Sequence, residues 1–273
     1  MILQRLRRRN LKQLINVFRT RFGRFTETEC RHDPNEIMVF VTNKCNFLCN
    51  TCPFTHDSPW SPPPDVPQIT LDLFQQVLDH YPGASMVGLV GGEPLLHPEI
   101  ETMIRMAADR KMTVNMSTNG SLLTEERIRS LLSLPLGYLN ISLDAVDEYE
   151  FKRLRGGSPE MYNRVKDNVK LLCNIRRQTG SPVNVYLSFV TDKINLHRIP
   201  EFMELGASLG ADTVFCQSVL SYQCSEVTTG AEVLYDTPEN RAVIANIPMR
   251  QSIQVVPPML IPFDEHEGCH CVN

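Results

Sequence analysis

Cys45, Cys49 and Cys52 fall within eight residues of one another, in the stretch TNKCNFLCNTCPF that spans 42–54. A thiolate is a soft ligand that suits zinc or iron–sulfur clusters. A structural zinc site closes a tetrahedron with four protein ligands, and a four-iron cluster usually takes four cysteines. A C-x₃-C-x₂-C loop supplies three, which leaves one coordination position open for a substrate or cofactor. The competing assignment is a zinc site that adds His56 to the three thiols. It would leave the motifs further along the chain without a role.

The chain that must position these thiols has 273 residues, 42% of them hydrophobic, enough for one large domain or a domain with an appendage. Its net charge of −4 argues against a nucleic-acid partner. The charge is unevenly placed. Residues 1–24 hold eight basic side chains and no acidic one, so the remainder sits near −12. No apolar run approaches the roughly 20 residues of a membrane span, and no uninterrupted apolar stretch follows the basic start as a signal peptide requires. The nine cysteines are therefore expected to be ligands or reduced core thiols in a reducing cytoplasm rather than a disulfide framework.

Leu3, Leu6, Leu11, Leu14, Ile15, Phe18 and Phe22 recur at helical spacing among arginines, so residues 1–30 are expected to form a basic amphipathic N-terminal helix. It is expected to cover the body of the protein, with membrane-surface or partner docking as the alternative. Then an alternation begins. EIMVFVTN (36–43), MVGLVGG (86–92), TVNMSTNG (113–120), YLNISLDA (138–145), NVYLSFVT (184–191) and DTVFCQSV (212–219) predict six strands. Helical patterns separate them: Phe74, Val77, Leu78 and Tyr81; Ile100, Ile104 and Ala107 with Pro98 in the first turn; Val165, Val169 and Leu172; Ile199, Phe202 and Met203 with Gly210 as the stop. Spacings near the roughly thirty residues of a βαβ unit, with apolar strands, predict a parallel sheet buried on both faces. A full barrel takes eight such units. The expected fold is α/β, a partial (β/α)6 TIM-type barrel core over 36–222, with a short C-terminal extension over 223–273. SPWSPPPDVP (58–67) reads as a stiff loop over its mouth.

The cysteine loop after a first strand resembles the signature of the radical S-adenosylmethionine (radical SAM) enzymes. Further motifs fall at the ends of successive strands in the order of that family: GGEP (91–94), STNG (117–120) and SLDA (142–145), with Arg155 shortly after. The resemblance covers roughly 36–220. It implies that Cys45, Cys49 and Cys52 hold three irons of a [4Fe–4S] cluster, and that the amino and carboxylate groups of S-adenosylmethionine chelate the fourth. It also implies the reaction: reductive cleavage of the sulfonium to methionine and a 5′-deoxyadenosyl radical, which abstracts hydrogen from a substrate. On this resemblance Gly91 and Gly92 let the backbone approach the cofactor and Glu93 receives its α-amino group. Ser117 and Asn119 lie near it, Ser142 and Asp144 face the ribose and methionine end, and Arg155 pairs with the carboxylate. Phe215, Cys216 and Gln217 border the adenine. No residue is assigned to the hydrogen transfer itself. The family commonly has an aromatic residue before the third cysteine; here it is Thr51, with Phe54 as a substitute from beyond the loop.

Each motif also has a plainer reading. GGEP and STNG are turn signals in their own right, Asp144 can serve backbone at a strand end, and Arg155 can form a surface ion pair. Cys30, Cys173, Cys216 and Cys224 read as packing or incidental thiols. After an expected helix over 239–247 and an extended SIQVVPP (252–258), the chain ends on EHEGCHCVN, where Cys269 and Cys271 resemble the first ligands of the auxiliary iron–sulfur cluster in a SPASM or twitch extension, cut short by truncation. The expected partners are S-adenosylmethionine, a peptide or protein substrate, and a one-electron donor such as flavodoxin or ferredoxin. The alternatives are dehydrogenation or rearrangement of a small molecule such as a sugar, an iron–sulfur electron carrier that cleaves no cofactor, and a metal-stabilised module.

Overall fold

A computed structural model describes residues 10–13, 15–16, 33–52, 54, 68–219, 233–248 and 252–261. Strand and helix alternate through β1 (Glu36–Thr42), α1 (Leu71–His80), β2 (Met86–Gly91), α2 (Ile100–Asp109), β3 (Thr113–Thr118), α3 (Glu125–Ser133) and β4 (Leu136–Ser142). Two helices follow, α4 (Glu148–Arg155) and α5 (Pro159–Thr179), then β5 (Asn184–Thr191), α6 (Ile199–Leu209), β6 (Thr213–Ser218), α7 (Pro238–Ala245) and β7 (Gln254–Val256). The seven strands pair in chain order, and every pairing is parallel. β1 and β7 do not pair with each other, so the barrel stays open.

The seventh strand lies in SIQVVPP (252–258), an expected extended stretch outside the six predicted barrel strands. It has three residues, of which only Val255 is buried, and Pro257 and Pro258 follow it, so its sequence carries little strand signal. Helices α3 and α4 were not anticipated. Thr124 caps α3 by accepting from the Arg127 N–H, and Asp147 caps α4 by accepting from the Glu150 N–H. Pro98 lies two residues ahead of α2 instead of in its first turn.

Side chains alternate across each strand. One set, including Val41, Leu89, Val114, Ile141, Leu187 and Val214, is fully buried against the helices and forms the core. The other set faces the concave side of the sheet and is far more polar: Asn115 and Ser117 on β3, Tyr138 and Asn140 on β4, Tyr186 and Ser188 on β5. The sheet is buried on both faces at the middle strands, where Asn115, Asn140 and Ser188 are buried, but not at β1, where Met38 and Phe40 stay more than half exposed on the concave side. Buried carboxamide oxygens of Asn115 and Asn140 have no partner there, and Tyr138 stacks on Tyr186 at 4.7 Å.

Residues 11–13 and 15–16 are helical. Amide side chains fasten this segment: Gln13 donates to the carbonyls of Ala84 and Arg110, and Asn16 to those of Asp33 and Gly83. Leu11 and Ile15, expected on its buried face, are exposed. The rest of the predicted basic helix, and the proline-rich loop 58–67, lie outside the described residues. Among the described residues no helix is long and apolar enough to cross a membrane.

Candidate cofactor site

The cysteine loop leaves the end of β1 and is braced from two sides. The first brace comes from the end of β2. Gly91 takes φ of +127°, and a Cβ there would lie 2.5 Å from the Thr42 carbonyl; one on Gly92 would collide with the Lys44 carbonyl. Without side chains, the Gly92 N–H donates to Thr42 O at 2.7 Å and the Glu93 N–H to Lys44 O at 2.8 Å. The Glu93 carboxylate then accepts from the Leu95 N–H, the Thr118 hydroxyl and the Asn119 N–H, at 3.0, 2.7 and 2.7 Å. Asn119 carries the brace back to the loop, its Nδ2 donating to Asn46 Oδ1 at 2.8 Å, while Asn46 donates to Ser121.

The second brace is the C-terminal end of α4. Asn50 donates to the Arg153 carbonyl at 2.8 Å, and the Thr51 N–H donates to Leu154 O at 3.3 Å. Gly156 ends the helix in the left-handed region, with φ of +64°, and a Cβ there would sit 2.7 Å from Leu48 O. Phe47 meets the Phe151 ring edge-on at 6.1 Å. These contacts satisfy loop carbonyls and side-chain amides that are otherwise awkward to bury.

Between the braces lies a cavity of about 580 Å³ at the carboxyl ends of the strands. All three thiols line it, as do Gly91, Gly92, Ser117, Asn119, Ser142, Asp144, Arg155 and Gln217. Glu93 and Phe215 do not. Glu93 is fully buried and its carboxylate is spent on the three donors named above. Phe215 sits on β6, opposite Ser188 and Val256. Cys216 points to the helix side of the sheet, where burial pushes its thiol up to about 12. Cys30, His56, Cys224, Cys269 and Cys271 lie outside the described residues. Sequence reasoning missed Phe40, Asn43, Val90, Thr118 and Val190 in the wall, and Asn46 and Asn50 as fasteners. The alternation of β1 was the available signal for Phe40.

Among the described residues, two charged side chains line the cavity. Asp144 holds φ of +58°, its N–H donates to Ser188 O at 3.0 Å and its Oδ1 accepts from the Val190 N–H at 3.1 Å. Its Oδ2 accepts from Arg155 Nη1 at 2.8 Å. Burial pushes the Asp144 carboxyl above its ordinary value, against the pull of Arg155. The guanidinium lies 5.3 Å from the Phe47 ring centre, and its Nε is buried without a partner. Burial raises the Cys45 thiol and takes Cys49 up to about 11, with the Arg155 charge opposing the shift.

This donor set fits a cluster better than a single ion. Among the described residues no three His, Cys, Asp or Glu side chains converge on one metal position, as a tetrahedral zinc site demands. All three thiols line one cavity, and three cysteines with one open position suit a cluster that takes a further ligand. The volume lies within the roughly 300–1,000 Å³ range of small-molecule sites. The side-chain-free wall at Gly91–Gly92 and the spare donor of Arg155 leave room and a polar contact for an organic ligand.

Residues 39–206 match the model of the Radical SAM superfamily. The chain belongs to that superfamily, whose members are enzymes that use a [4Fe–4S] cluster and S-adenosylmethionine. It is 26% identical, over 76% of its length and 56% of the relative's, to the tungsten-containing aldehyde ferredoxin oxidoreductase cofactor-modifying protein of Pyrococcus furiosus. It is 25% identical to the PqqA peptide cyclase of Bradyrhizobium diazoefficiens, over 69% of this chain and 47% of that one. SuiB of Streptococcus suis, solved with bound S-adenosylmethionine, superposes with a TM-score of 0.64 at 18% identity, covering 87% of this chain and 51% of that one; the likeness shows the fold. The chain spans about half the length of the curated relatives it matches.

Proposed function

We propose that this radical SAM chain acts on a peptide or protein, and that Cys45, Cys49 and Cys52 hold its cluster. The observation that carries the assignment of the ligands is that these three thiols, and no other described cysteine, share one cavity with a buried arginine–aspartate pair. The cluster with its S-adenosylmethionine supplies reductive cleavage and a 5′-deoxyadenosyl radical that takes hydrogen from the substrate. The chain's own groups do the rest. Arg155 offers its unpaired Nε to the cofactor carboxylate, a charge-assisted bond, and Asp144 fixes the guanidinium. Asn119 and Glu93 hold the thiol loop in place, Ser117 and Ser142 give hydroxyls to the cavity wall, and Gln217 borders its far side. Phe215 belongs to the strand that carries Gln217 and contributes through packing.

The peptide reading is supported by the similarity to a peptide cyclase. A flavodoxin or ferredoxin supplies the electron in a reducing cytoplasm, Cys269 and Cys271 begin a second, auxiliary cluster of the SPASM type, and the basic N-terminal segment contacts a partner or a membrane surface. The test is anaerobic. The protein is reconstituted with iron and sulfide, reduced and given S-adenosylmethionine, and 5′-deoxyadenosine is measured with and without a peptide pool or a set of sugars and nucleotides. Formation by the native chain, its loss in Cys49→Ala, and stimulation by peptides alone are expected. No formation by a reduced, iron-loaded chain overturns the assignment of the ligands, and stimulation only by small molecules overturns the peptide reading.

A further inference from the structure

A cluster of buried charge lies beside the cavity, and no motif accounts for it. Asp192 follows β5 and Glu150 sits in the first turn of α4; both are buried, and neither lines the cavity. Arg153 lies between them. Its Nη1 donates to Asp192 Oδ2 at 2.6 Å, and its Nη2 is 3.8 Å from Glu150 Oε1. Arg198 closes the far side, 3.5 Å from Glu150 and bonded to Asp147 at 2.7 Å. A reciprocal pair also holds Asp192: the Asn195 N–H donates to its Oδ1 at 2.9 Å, and its own N–H donates to Asn195 Oδ1 at 2.8 Å. Asn195 then donates from Nδ2 to the Val190 carbonyl at 3.0 Å. Both carboxylate oxygens of Asp192 therefore have a fixed donor. Taking a carboxylate out of water is costly, and apolar residues of the same volume often hold two elements together as well or better. What an ion pair with directed hydrogen bonds adds is a fixed relative position.

The two segments that the pair joins both reach the cavity. Helix α4 has eight residues, and Phe151 and Leu154 are its buried apolar anchors. Apolar contacts are non-directional, so two of them let a short helix shift along its groove. A guanidinium bonded to a fully buried carboxylate does not. Arg153 and Arg155 share the last turn of α4, two residues and so roughly 200° apart around its axis. One guanidinium therefore faces Asp192, and the other faces Asp144 and the cavity. The Arg153 carbonyl accepts from Asn50 of the thiol loop at 2.8 Å. On the β5 side, Val190 lines the cavity two residues before Asp192, and its N–H donates to Asp144 Oδ1 at 3.1 Å. One ion pair thus joins the segment that carries Arg155 to the segment that fixes Asp144.

We infer that Arg153 and Asp192 are positioning residues, whose ion pair sets α4 against the end of β5 so that Arg155 meets the carboxylate of S-adenosylmethionine. The inference rests on the cofactor assignment under Proposed function and adds to it two residues outside the cavity wall. Glu150 and Arg198 complete the clamp by holding Arg153 and the first turn of α4. Breaking the pair leaves Arg155, Asp144 and the three thiols in the chain, but frees the guanidinium to leave its position opposite the ligand carboxylate. The loss then falls on that end of the ligand rather than on the ligand as a whole.

The test compares S-adenosylmethionine with decarboxylated S-adenosylmethionine, the same sulfonium without its carboxylate. Dissociation constants are measured anaerobically on iron-loaded protein. The chains are the native one, Arg153→Met, Asp192→Asn, Arg155→Lys, which loses Nε, and Arg155→Lys combined with each of the first two. The preference for the carboxylate-bearing ligand that disappears in Arg155→Lys is the share of Arg155. Arg153→Met and Asp192→Asn should each cut the preference by about tenfold, the worth of one charge-assisted hydrogen bond, and leave the decarboxylated ligand unchanged. In the Arg155→Lys background both should lose their effect, as residues that act through a shared group do. Equal weakening of both ligands, an unchanged preference in both variants, or effects that add in the Arg155→Lys background overturns the positioning role. Either variant decides if the other takes up no iron; failure of both to load, with Arg155→Lys loading normally, places the pair on the thiol loop instead and also overturns it. If the native chain shows no preference, or Arg155→Lys keeps all of it, the role of Arg155 under Proposed function fails and the inference with it. If Arg155 carries the preference and the variants keep it in full, the inference alone fails.

Discussion

Replacing Asp144 by Asn removes one charge and almost no volume, and its cost can be worked from the site. The Arg155 side chain is only 11% exposed and the Asp144 side chain 3%. Stripping one partner from a buried pair leaves an uncompensated charge and costs about 3–5 kcal/mol. Asn tolerates the left-handed backbone that Asp144 adopts, and its Oδ1 can still accept from the Val190 N–H. Asp144→Ala adds the lost bond to Val190 and a left-handed alanine, roughly 1–2 kcal/mol more. Urea unfolding of the reduced, metal-free chain should place native, Asn and Ala in that order of falling stability. Loading the cluster should narrow the native-to-Asn gap, because thiolate ligands beside Arg155 bring negative charge back to it. An Asn variant within about 1 kcal/mol of native in the metal-free state would show that Arg155 does not depend on this carboxylate, since that is less than the cost of an orphaned buried charge. A gap unchanged on loading would separate Arg155 electrostatically from the cluster.

Gly92→Ala drives a methyl group into the Lys44 carbonyl and strains the bonds that Gly92 and Glu93 make to the loop root; it should cost about 2–4 kcal/mol and lower iron uptake, read by unfolding and by iron analysis of the same samples. Glu93→Gln replaces one acceptor by an amino group facing a backbone donor, which should cost about 1–3 kcal/mol without abolishing cofactor binding; complete loss of S-adenosylmethionine affinity with unchanged stability would place the carboxylate on the ligand instead. Cys216→Ala should keep a full complement of iron, because that thiol faces the helices, and a drop in iron per chain would contradict its placement. Burial holds Cys45 and Cys49 protonated at neutral pH, so cluster assembly must release protons and should go further at about pH 8.5 than at about pH 6.5, measured as iron bound per chain after anaerobic reconstitution.

The strands were legible because their apolar residues are contiguous and their ends are marked by Gly, Asn or Asp. β7 was legible only as an extended stretch, since three residues carry no period. Helix α4 had a signal that went unused: Asp147 followed three residues later by Glu150 is an N-terminal capping pattern. Few apolar residues follow it, as α4 buries only Phe151 and Leu154 beside Glu150, and a search keyed to apolar period passes over such a helix. The N-terminal segment shows the opposite failure. Leucines at helical spacing promised an apolar contact face, but in the described part of the segment Leu11 and Ile15 are exposed and Gln13 and Asn16 make the attachment, donating to loop carbonyls that leucines cannot satisfy.

The site divides along a similar line. Motif order brought the right segments together, since β-strand ends in a parallel sheet all emerge at one rim. It did not reveal which groups face the ligand and which face the chain. GGEP reads as a cofactor contact; its two glycines line the cavity and also admit the carbonyls of Thr42 and Lys44, while its glutamate ties β2 to β3. Asn119, read as a cofactor neighbour, holds Asn46 of the thiol loop as well as lining the cavity. A loop in which burial raises the proton affinity of Cys45 and Cys49 has little to fix it before metal arrives, so the burden of pre-forming it falls on hydrogen bonds from neighbouring strand ends. That explains why the braces converge on Lys44, Asn46 and Asn50, each next to a cysteine in the chain, and why loosening any brace should impair iron uptake before it alters the fold.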